Sequence, residues 1–306
     1  MATQPLIETK EQYFQCLSEK PDYLNQTVAL SDGRMLGFAQ YGDPLGKPVF
    51  FFHGGAGSRL EHPTHVCAVG VRIIVIDRPG HGLSDYQPGR QLLDWPRDIE
   101  QLADHLRINK FYVLGWSAGG PHALACAYKL PDRVLAGAVA AGMAPANGSR
   151  WTKAFPIAGR AFGFAARYLP GLIRLFRRMA RRALLGDGEV ARQRLLSAFS
   201  TEEREFMVAS GNIDMFYDDV REGYRRGWQG AARDDMIIFG DWGFDIADIN
   251  VRIDVWHGDA DKNIPPEASQ HLHRRIPNSR ATFLPGEGHM FLLSRWPDVI
   301  QALVAA

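Results

Sequence analysis

Six short apolar runs recur along this chain, each closing on a glycine or acidic turn. They are KPVFFFHGG at 47–55, VRIIVIDRPG at 71–80, KFYVLGWSAGG at 110–120, VLAGAVAAG at 134–142, RIDVWHGD at 252–259 and SRATFLPGEGH at 279–289. Near-continuous apolar runs of this length predict strands buried on both faces, which belong to parallel sheets covered by helices on each side. QTVALSDGRMLGFAQYGD at 26–43 reads differently, as two strands joined at Asp32 and Gly33, a hairpin leading into the sheet. In DWPRDIEQLADHLRI the apolar positions Ile99, Leu102, Leu106 and Ile108 approximate helical spacing, as a crossover helix requires. The expected architecture is α/β: a mostly parallel sheet flanked by helices, with ligands binding at the edge where the strand C-termini open.

With 306 residues, 46% of them hydrophobic, the chain can bury a sizeable core. A formal net charge of +1 sets up no overall field toward nucleic acid or against acidic substrates, so bulk charge selects no partner. Cys16, Cys67 and Cys126 are odd in number and widely spaced, which fits a reducing compartment. MATQPLIETKEQYFQC lacks the basic-then-apolar pattern of an export signal, and no uncharged apolar run reaches the ~18 residues of a membrane span. The reading is a cytoplasmic chain without integral membrane association; its oligomeric state is not legible.

The strand pattern stops after Ala146. From 147 to 240 basic and aromatic helical segments are punctuated by Pro156, Pro170, Gly171, Gly186 and Gly188, so this stretch is expected to be a helical insertion between two parts of one core, 1–146 and 241–306. Ser200 with Glu203 three residues later marks a helix start at TEEREFMVAS. PGLIRLFRRMARRALLGDG at 170–188 predicts an amphipathic helix. Arg174, Arg177, Arg178, Arg181 and Arg182 recur at helical spacing, and Leu172, Leu175, Phe176, Met179 and Ala183 fill much of the other face. Its arginines either solvate a lid or, through Arg177, Arg178 and Arg181, meet anionic lipid or acidic substrates, a peripheral membrane contact.

Within FYVLGWSAGGPHALACA at 111–127, Ser117 stands at the end of an apolar run between Gly115 and Gly119. G-x-S-x-G alone can be a tight turn whose serine caps the next helix. A serine hydroxyl becomes a useful nucleophile only when a histidine takes its proton and a carboxylate orients that histidine. Two later strand ends supply these types: Asp261 in HGDADKNIPP, and His289 in GEGHM. Glycines at 115, 119 and 120 tolerate the backbone angles of a strand-to-helix turn that projects a side chain. The helix beginning after Ser117 aims unpaired N–H groups at the same place, so the Ala118 amide can meet a developing oxyanion, with Gly55 as second donor.

Five motifs in this order, HGGAG at 53–57, DRPGHGLSD at 77–85, GWSAGG at 115–120, HGDAD at 257–261 and GEGH at 286–289, resemble those of the serine-type α/β-hydrolase fold family with a helical cap. The resemblance covers roughly 26–146 and 245–305. It implies an oxyanion loop, a tight turn, a nucleophile elbow, an acid loop and a histidine loop, respectively. Asp259 lies two residues from Asp261 and could itself be the acid; the family-like spacing after His257 and Gly258 favours Asp261. Serine at the elbow points away from the dehalogenases and epoxide hydrolases that use aspartate there. HGGAG also departs from the HGGPG of proline iminopeptidases, and the insertion shows no obvious acidic anchor for a free amino terminus.

Other candidates carry less. GGAGSRL lacks the Lys-Ser/Thr ending of a phosphate loop, and no G-x-G-x-x-G supports a dinucleotide, so no cofactor is expected and Asp77 reads as a turn residue. His53 and His81 precede the serine and read as structural; His271 and His273 have no clustered third ligand, so no metal is expected. His122 reads as a packed helix histidine, with lining the site as the alternative. Trp116, Trp242 and Phe244 could wall an apolar pocket or belong to the core.

The function expected from these residues is hydrolysis of a carboxylic ester or lactone of a small to medium apolar substrate, through attack of Ser117, with His289 as base then acid and Asp261 fixing its tautomer. Carbon–carbon bond hydrolysis or acyl transfer could use the same triad. A hydrolase-fold ligand receptor with vestigial catalysis is the reading from a different class.

Overall fold

In a computed structural model, which describes residues 23–62, 70–146 and 149–305, the apolar runs form one eight-stranded sheet. The strands are β1 (Gln26–Ala29), β2 (Met35–Gly42), β3 (Lys47–Phe52), β4 (Val71–Ile76), β5 (Phe111–Trp116), β6 (Val134–Ala140), β7 (Ile253–Gly258) and β8 (Ser279–Leu284), in the order β1-β2-β4-β3-β5-β6-β7-β8. From β3 to β8 all neighbours run parallel, with Phe52 opposite both Ile76 and Gly115, and Trp116 opposite Ala140. β2 runs antiparallel to β1 and β4, which is the hairpin entry read from the turn at Asp32 and Gly33.

Among the described residues, α1 (Trp95–His105) and α2 (Gly120–Lys129) flank β5. Between β6 and β7 come α3 (Ile157–Tyr168), α4 (Pro170–Leu184), α5 (Gly188–Leu196), α6 (Thr201–Ala209), α7 (Asn212–Gly223) and α8 (Gln229–Phe239). α9 (Glu267–Arg275) joins β7 to β8, and α10 (Leu292–Val304) follows. Successive strand side chains point to opposite faces, so the apolar runs feed two cores. Phe50, Phe52, Ile74 and Val113 pack with Ile99 of α1, Leu124 of α2 and Leu272 of α9. Phe51, Ile73, Val75 and Leu114 pack with Trp296, Val299 and Leu303 of α10. Each such fully buried side chain contributes about 1.5–3 kcal/mol relative to exposure. This is the α/β-hydrolase architecture, and it places the C-terminal ends of β5, β7 and β8 along one edge.

Three local expectations change. β8 is half exposed, because it has a neighbour on one side only and closes the sheet. α1 stops before Leu106 and Ile108: Arg107 turns left-handed (φ 56°), its N–H donates to Asp104 O, and Ile108 N–H reaches back to Ala103 O at 2.8 Å. That is a Schellman-type stop in which buried Ile108 packs beyond the helix instead of continuing it. In α4 the arginine and apolar faces do not divide as their spacing suggests. Arg177 turns inward, with Nε and Nη2 each 2.6 Å from the Asp235 carboxylate of α8, while Leu172, Leu175, Phe176 and Met179 are exposed.

Cys126 is buried and free; Cys16, Cys67 and the N-terminal stretch read for export lie outside the described residues. No helix among the described residues is long and apolar enough to cross a membrane.

Candidate active site

The turn after β5 is built by close approach. A side-chain carbon at Gly119 would stand 1.9 Å from Phe52 O, and one at Gly115 would stand 2.3 Å from Gly119 O, so only glycine lets β5 turn into the next helix against β3. Ser117 sits at the apex with φ 53°, a left-handed conformation that non-glycine residues adopt at a cost of ~1–2 kcal/mol. A residue held there projects its side chain over the sheet edge.

Two distant loops reach that oxygen. His289 Nε2 is 3.1 Å from Ser117 Oγ, and Nδ1 of the same ring is 2.7 Å from Asp261 Oδ2. Asp261 Oδ1 accepts from the N–H groups of Asn263 and Ile264 at 2.8 and 3.0 Å, which fixes the carboxylate plane. Burial alone would raise the Asp261 pKa; the charge of His289 and hydrogen bonds from His257 and His289 outweigh it and hold the carboxyl below its ordinary range. Burial likewise disfavours the charged form of His289, but the facing Asp261 and, beyond it, Glu203 win, so its pKa is raised. Asp259 is exposed and accepts from Gly286 N–H at 2.7 Å, holding the turn after β8 and not the histidine.

Gly55 and Ala118 face each other: a side-chain carbon at Gly55 would stand 4.0 Å from Ala118 Cβ. Gly54 N–H donates to Glu61 Oε2 at 2.9 Å and is thereby engaged within its own loop. Arg78 donates to His53 O and, at 2.8 Å, to Gly54 O. Asp219 of α7 accepts from both the N–H and the hydroxyl of Ser58 at 2.7 Å. Burial pushes the Asp219 carboxyl up to about 8, and burial together with the Asp219 charge raises that of Glu61. Asp77 is more than a turn residue: its carboxylate accepts from Arg59 N–H, the Arg59 guanidinium and Leu83 N–H, tying two loops together.

Asp234 of α8 anchors this support. Its Oδ2 is 2.7 Å from Arg78 Nε and its Oδ1 accepts from Arg90, all three groups being buried. His81 lies 3.6 Å away, but burial pushes it down to about 3, so it is neutral there. Asp234→Ala leaves two guanidiniums buried without their partner and is expected to cost about 3–5 kcal/mol of stability. Urea unfolding measures it, and a loss under 1 kcal/mol would mean that the arginines re-pair.

Of the aromatic candidates, Trp116 reaches the site: its ring stacks 5.6 Å from His289, and its N–H donates to His289 O. Trp242 is buried with its N–H on Ile238 O, and Phe244 stacks on Tyr128, so both pack in the core on the α1–α2 side. His122 is fully buried, bonded to Ala118 O and set edge-on to Trp95. His273 Nδ1 pairs with Ser279 Oγ at 3.0 Å.

Three residues whose place beside the site no sequence pattern marks also join it. His257 Nε2 lies 3.2 Å from Asp261 Oδ2, its Nδ1 held by Ser269 Oγ. Phe216 of α7 brings a ring to 6.3 Å from Trp116. Glu203 closes a capping box with Ser200, as the spacing suggests, yet its Oε1 also accepts from Met290 N–H at 3.2 Å. The insertion therefore does place a buried carboxylate beside the histidine loop, which its sequence alone did not reveal.

A family model described as alpha/beta hydrolase fold matches residues 47–295. The chain is 33% identical over 105 residues to an uncharacterized hydrolase of Bacillus subtilis (strain 168), which is 34% of this chain and 36% of that protein. It is 37% identical over 103 residues to a probable proline iminopeptidase of Leptolyngbya boryana, 32% of each. These stretches span about a third of each relative's own length. The crystal structure of the esterase RhEst1 from Rhodococcus sp. ECU1013 superposes with TM-score 0.67 at 18% identity, covering 92% of this chain and 99% of that one, a likeness of fold.

Proposed function

This chain belongs to the alpha/beta hydrolase fold family, and within that family we propose that it is a hydrolase that cleaves a carboxylic ester or lactone of a small to medium apolar substrate through an acyl-enzyme on Ser117. The observation that carries this reading is the unbroken chain from Ser117 Oγ through His289 to Asp261, at 3.1 and 2.7 Å. His289 takes the serine proton as Oγ attacks the carbonyl, while Asp261 holds Nδ1–H and stabilises the imidazolium. The Gly55 and Ala118 amides receive the oxyanion. His289 returns its proton to the leaving alcohol, then activates the water that cleaves the ester to Ser117. The helices within 147–240 act as a cap over a core of 1–146 and 241–306, tied down through Asp219, Asp234 and Glu203. Trp116 and Phe216 present apolar surface toward the acyl group.

A serine-directed phosphonate is expected to add once per chain, at Ser117, in intact-protein mass spectrometry, and an ester and lactone panel then names the substrate. Failure of Ser117 to label would overturn the mechanism; transfer of the acyl group to an added alcohol in preference to water would make the protein an acyltransferase.

One observation favours a second reading, release of an N-terminal residue: buried Glu203 beside the histidine loop. Both its oxygens are already engaged, by Met290 N–H and Ser200 N–H, which keeps the ester reading ahead. Faster turnover of proline p-nitroanilide than of any ester would reverse that order.

The raised pKa of His289 sets the pH dependence. Rate is lost as pH falls through a midpoint above the ordinary ~6.5, because the protonated ring cannot accept the serine proton. Glu203→Gln keeps an acceptor for Met290 but removes a charge that raises His289, so the midpoint of kcat/KM against pH should move down. An unmoved midpoint would show that Glu203 has no electrostatic part in the site.

A further inference from the structure

Between residues 149 and 186 the chain carries nine Lys or Arg and no Asp or Glu, although the whole chain is only +1. The structure turns two of these inward: Arg177 onto Asp235, and Arg181 onto Tyr224 O at 3.1 Å. Arg174, Arg178 and Arg182, spaced by four along α4, are exposed. Beside them on the same helix runs an apolar stripe that faces water, with Leu175 53% and Met179 59% exposed, and Leu172 and Phe176 close to half.

Helix α3 repeats the arrangement. Ile157, Phe164 and Tyr168 are exposed, at 83%, 59% and 58%, with Arg160 and Arg167 next to them on the helix. Phe162 and Phe176, each seven residues from Leu169, meet edge to face at 5.5 Å, so the two helices lie side by side as a hairpin, and the other side chains of both stripes are half or more exposed. A cavity of about 520 Å³ opens along α3. Lys153, Arg160 and Arg167 line it with the rings of Phe155, Phe164 and Tyr168, and among the described residues neither a carboxylate nor a residue of the Ser117 site contributes.

We propose that the α3–α4 hairpin is a docking surface for an anionic lipid bilayer: the apolar stripes enter the headgroup boundary, the flanking arginines meet lipid phosphates, and the cavity seats a headgroup. An apolar face bordered by arginine is the pattern of helices that lie in a membrane interface. Charge decides among occupants. A second copy would set one all-cationic segment against another, and a nucleic acid backbone would leave the exposed Leu, Phe and Met side chains with nothing apolar to cover them. An anionic bilayer satisfies both halves of the surface.

The test uses the full chain with vesicles of phosphatidylglycerol in phosphatidylcholine, and of phosphatidylcholine alone, read by cosedimentation. Binding is expected to the anionic vesicles and to weaken with salt. Arg174→Gln, Arg178→Gln and Arg182→Gln together should lower the partition coefficient about a hundredfold. Leu175→Ser, Phe176→Ser and Met179→Ser together should lower it at least about tenfold. Both sets are exposed, and unchanged thermal unfolding verifies that they fold. Absence of binding to anionic vesicles at low salt would overturn the proposal. So would full binding by the serine set, which would reduce the contact to diffuse charge attraction. A dimer in sedimentation velocity that the serine set dissociates, or tighter binding to duplex DNA than to vesicles, would assign the face to another occupant.

Discussion

Ser117→Ala lowers kcat by about 10⁴-fold or more while the protein unfolds at the same denaturant concentration or slightly higher. The two halves of this expectation come from different features of one residue. Removing Oγ removes the group that His289 Nε2 faces at 3.1 Å across the sheet edge, so no acyl-enzyme can form and only binding and the two amides remain to act on the substrate. Alanine in the same left-handed conformation carries no larger steric cost than serine, and the turn is held by Gly115 and Gly119, which are untouched. Steady-state kinetics on the best ester of the panel, paired with urea unfolding, measures both. A variant that keeps more than a tenth of the activity would remove Ser117 from the mechanism; a variant that is inactive because it is unfolded would leave the turn, not the chemistry, as the cause. His289→Ala is expected to lose nearly as much, since the groups act as a unit and the loss does not add.

Asp261→Asn should cost about 10⁴-fold in kcat, and Asp259→Asn little. An amide at 261 can donate to Nδ1 and so hold the imidazole in the tautomer whose Nε2 already bears a proton, where it cannot take another from serine. It also removes the charge that favours the imidazolium. The neighbouring contacts sharpen the contrast: Asn263 and Ile264 N–H bond to Oδ1, which the amide oxygen can still serve, so geometry survives while the tautomer does not. Asp259 Oδ1 accepts from Gly286 N–H, an interaction that asparagine keeps. Stopped assays of both variants over pH 5–9 decide between them. A larger loss at 259 would move the acid by two residues and require the loop after β7 to rearrange on substrate binding.

The scaffold was legible because its signals are local. Near-continuous apolar runs over 47–52, 71–76 and 111–116 admit little but buried parallel strands, and Asp32-Gly33 admits a turn between two strands. The order of Ser117, Asp261 and His289 at strand ends was legible for the same reason: topology carries strand C-termini to one edge however far apart they lie in the chain. The sidedness of the insertion was not. α4 has an apolar face and a basic face, and spacing alone suggests that the apolar one is inside. In the structure Asp235 of α8 stands where Arg177 can reach it, so a part-buried ion pair with two hydrogen bonds lies on the inward side of the helix beside buried Ile173, and Leu175, Phe176 and Met179 are about half exposed.

By itself, then, the sequence determined the sheet, its hairpin entry and which strand-end turns the sheet edge gathers, since periodicity, glycine turns and chain order are properties of one segment at a time. Only the tertiary structure decided what lies between segments. It gave Asp261 and not Asp259 the contact with His289, sent Trp242 and Phe244 into the core, and brought Glu203 from a helix cap to the histidine loop. It buried Asp234 between two arginines and left the apolar stripes of α3 and α4 uncovered. Each of these depends on which surface a helix finds when it packs, and that is set by partners tens of residues away whose positions no local pattern encodes.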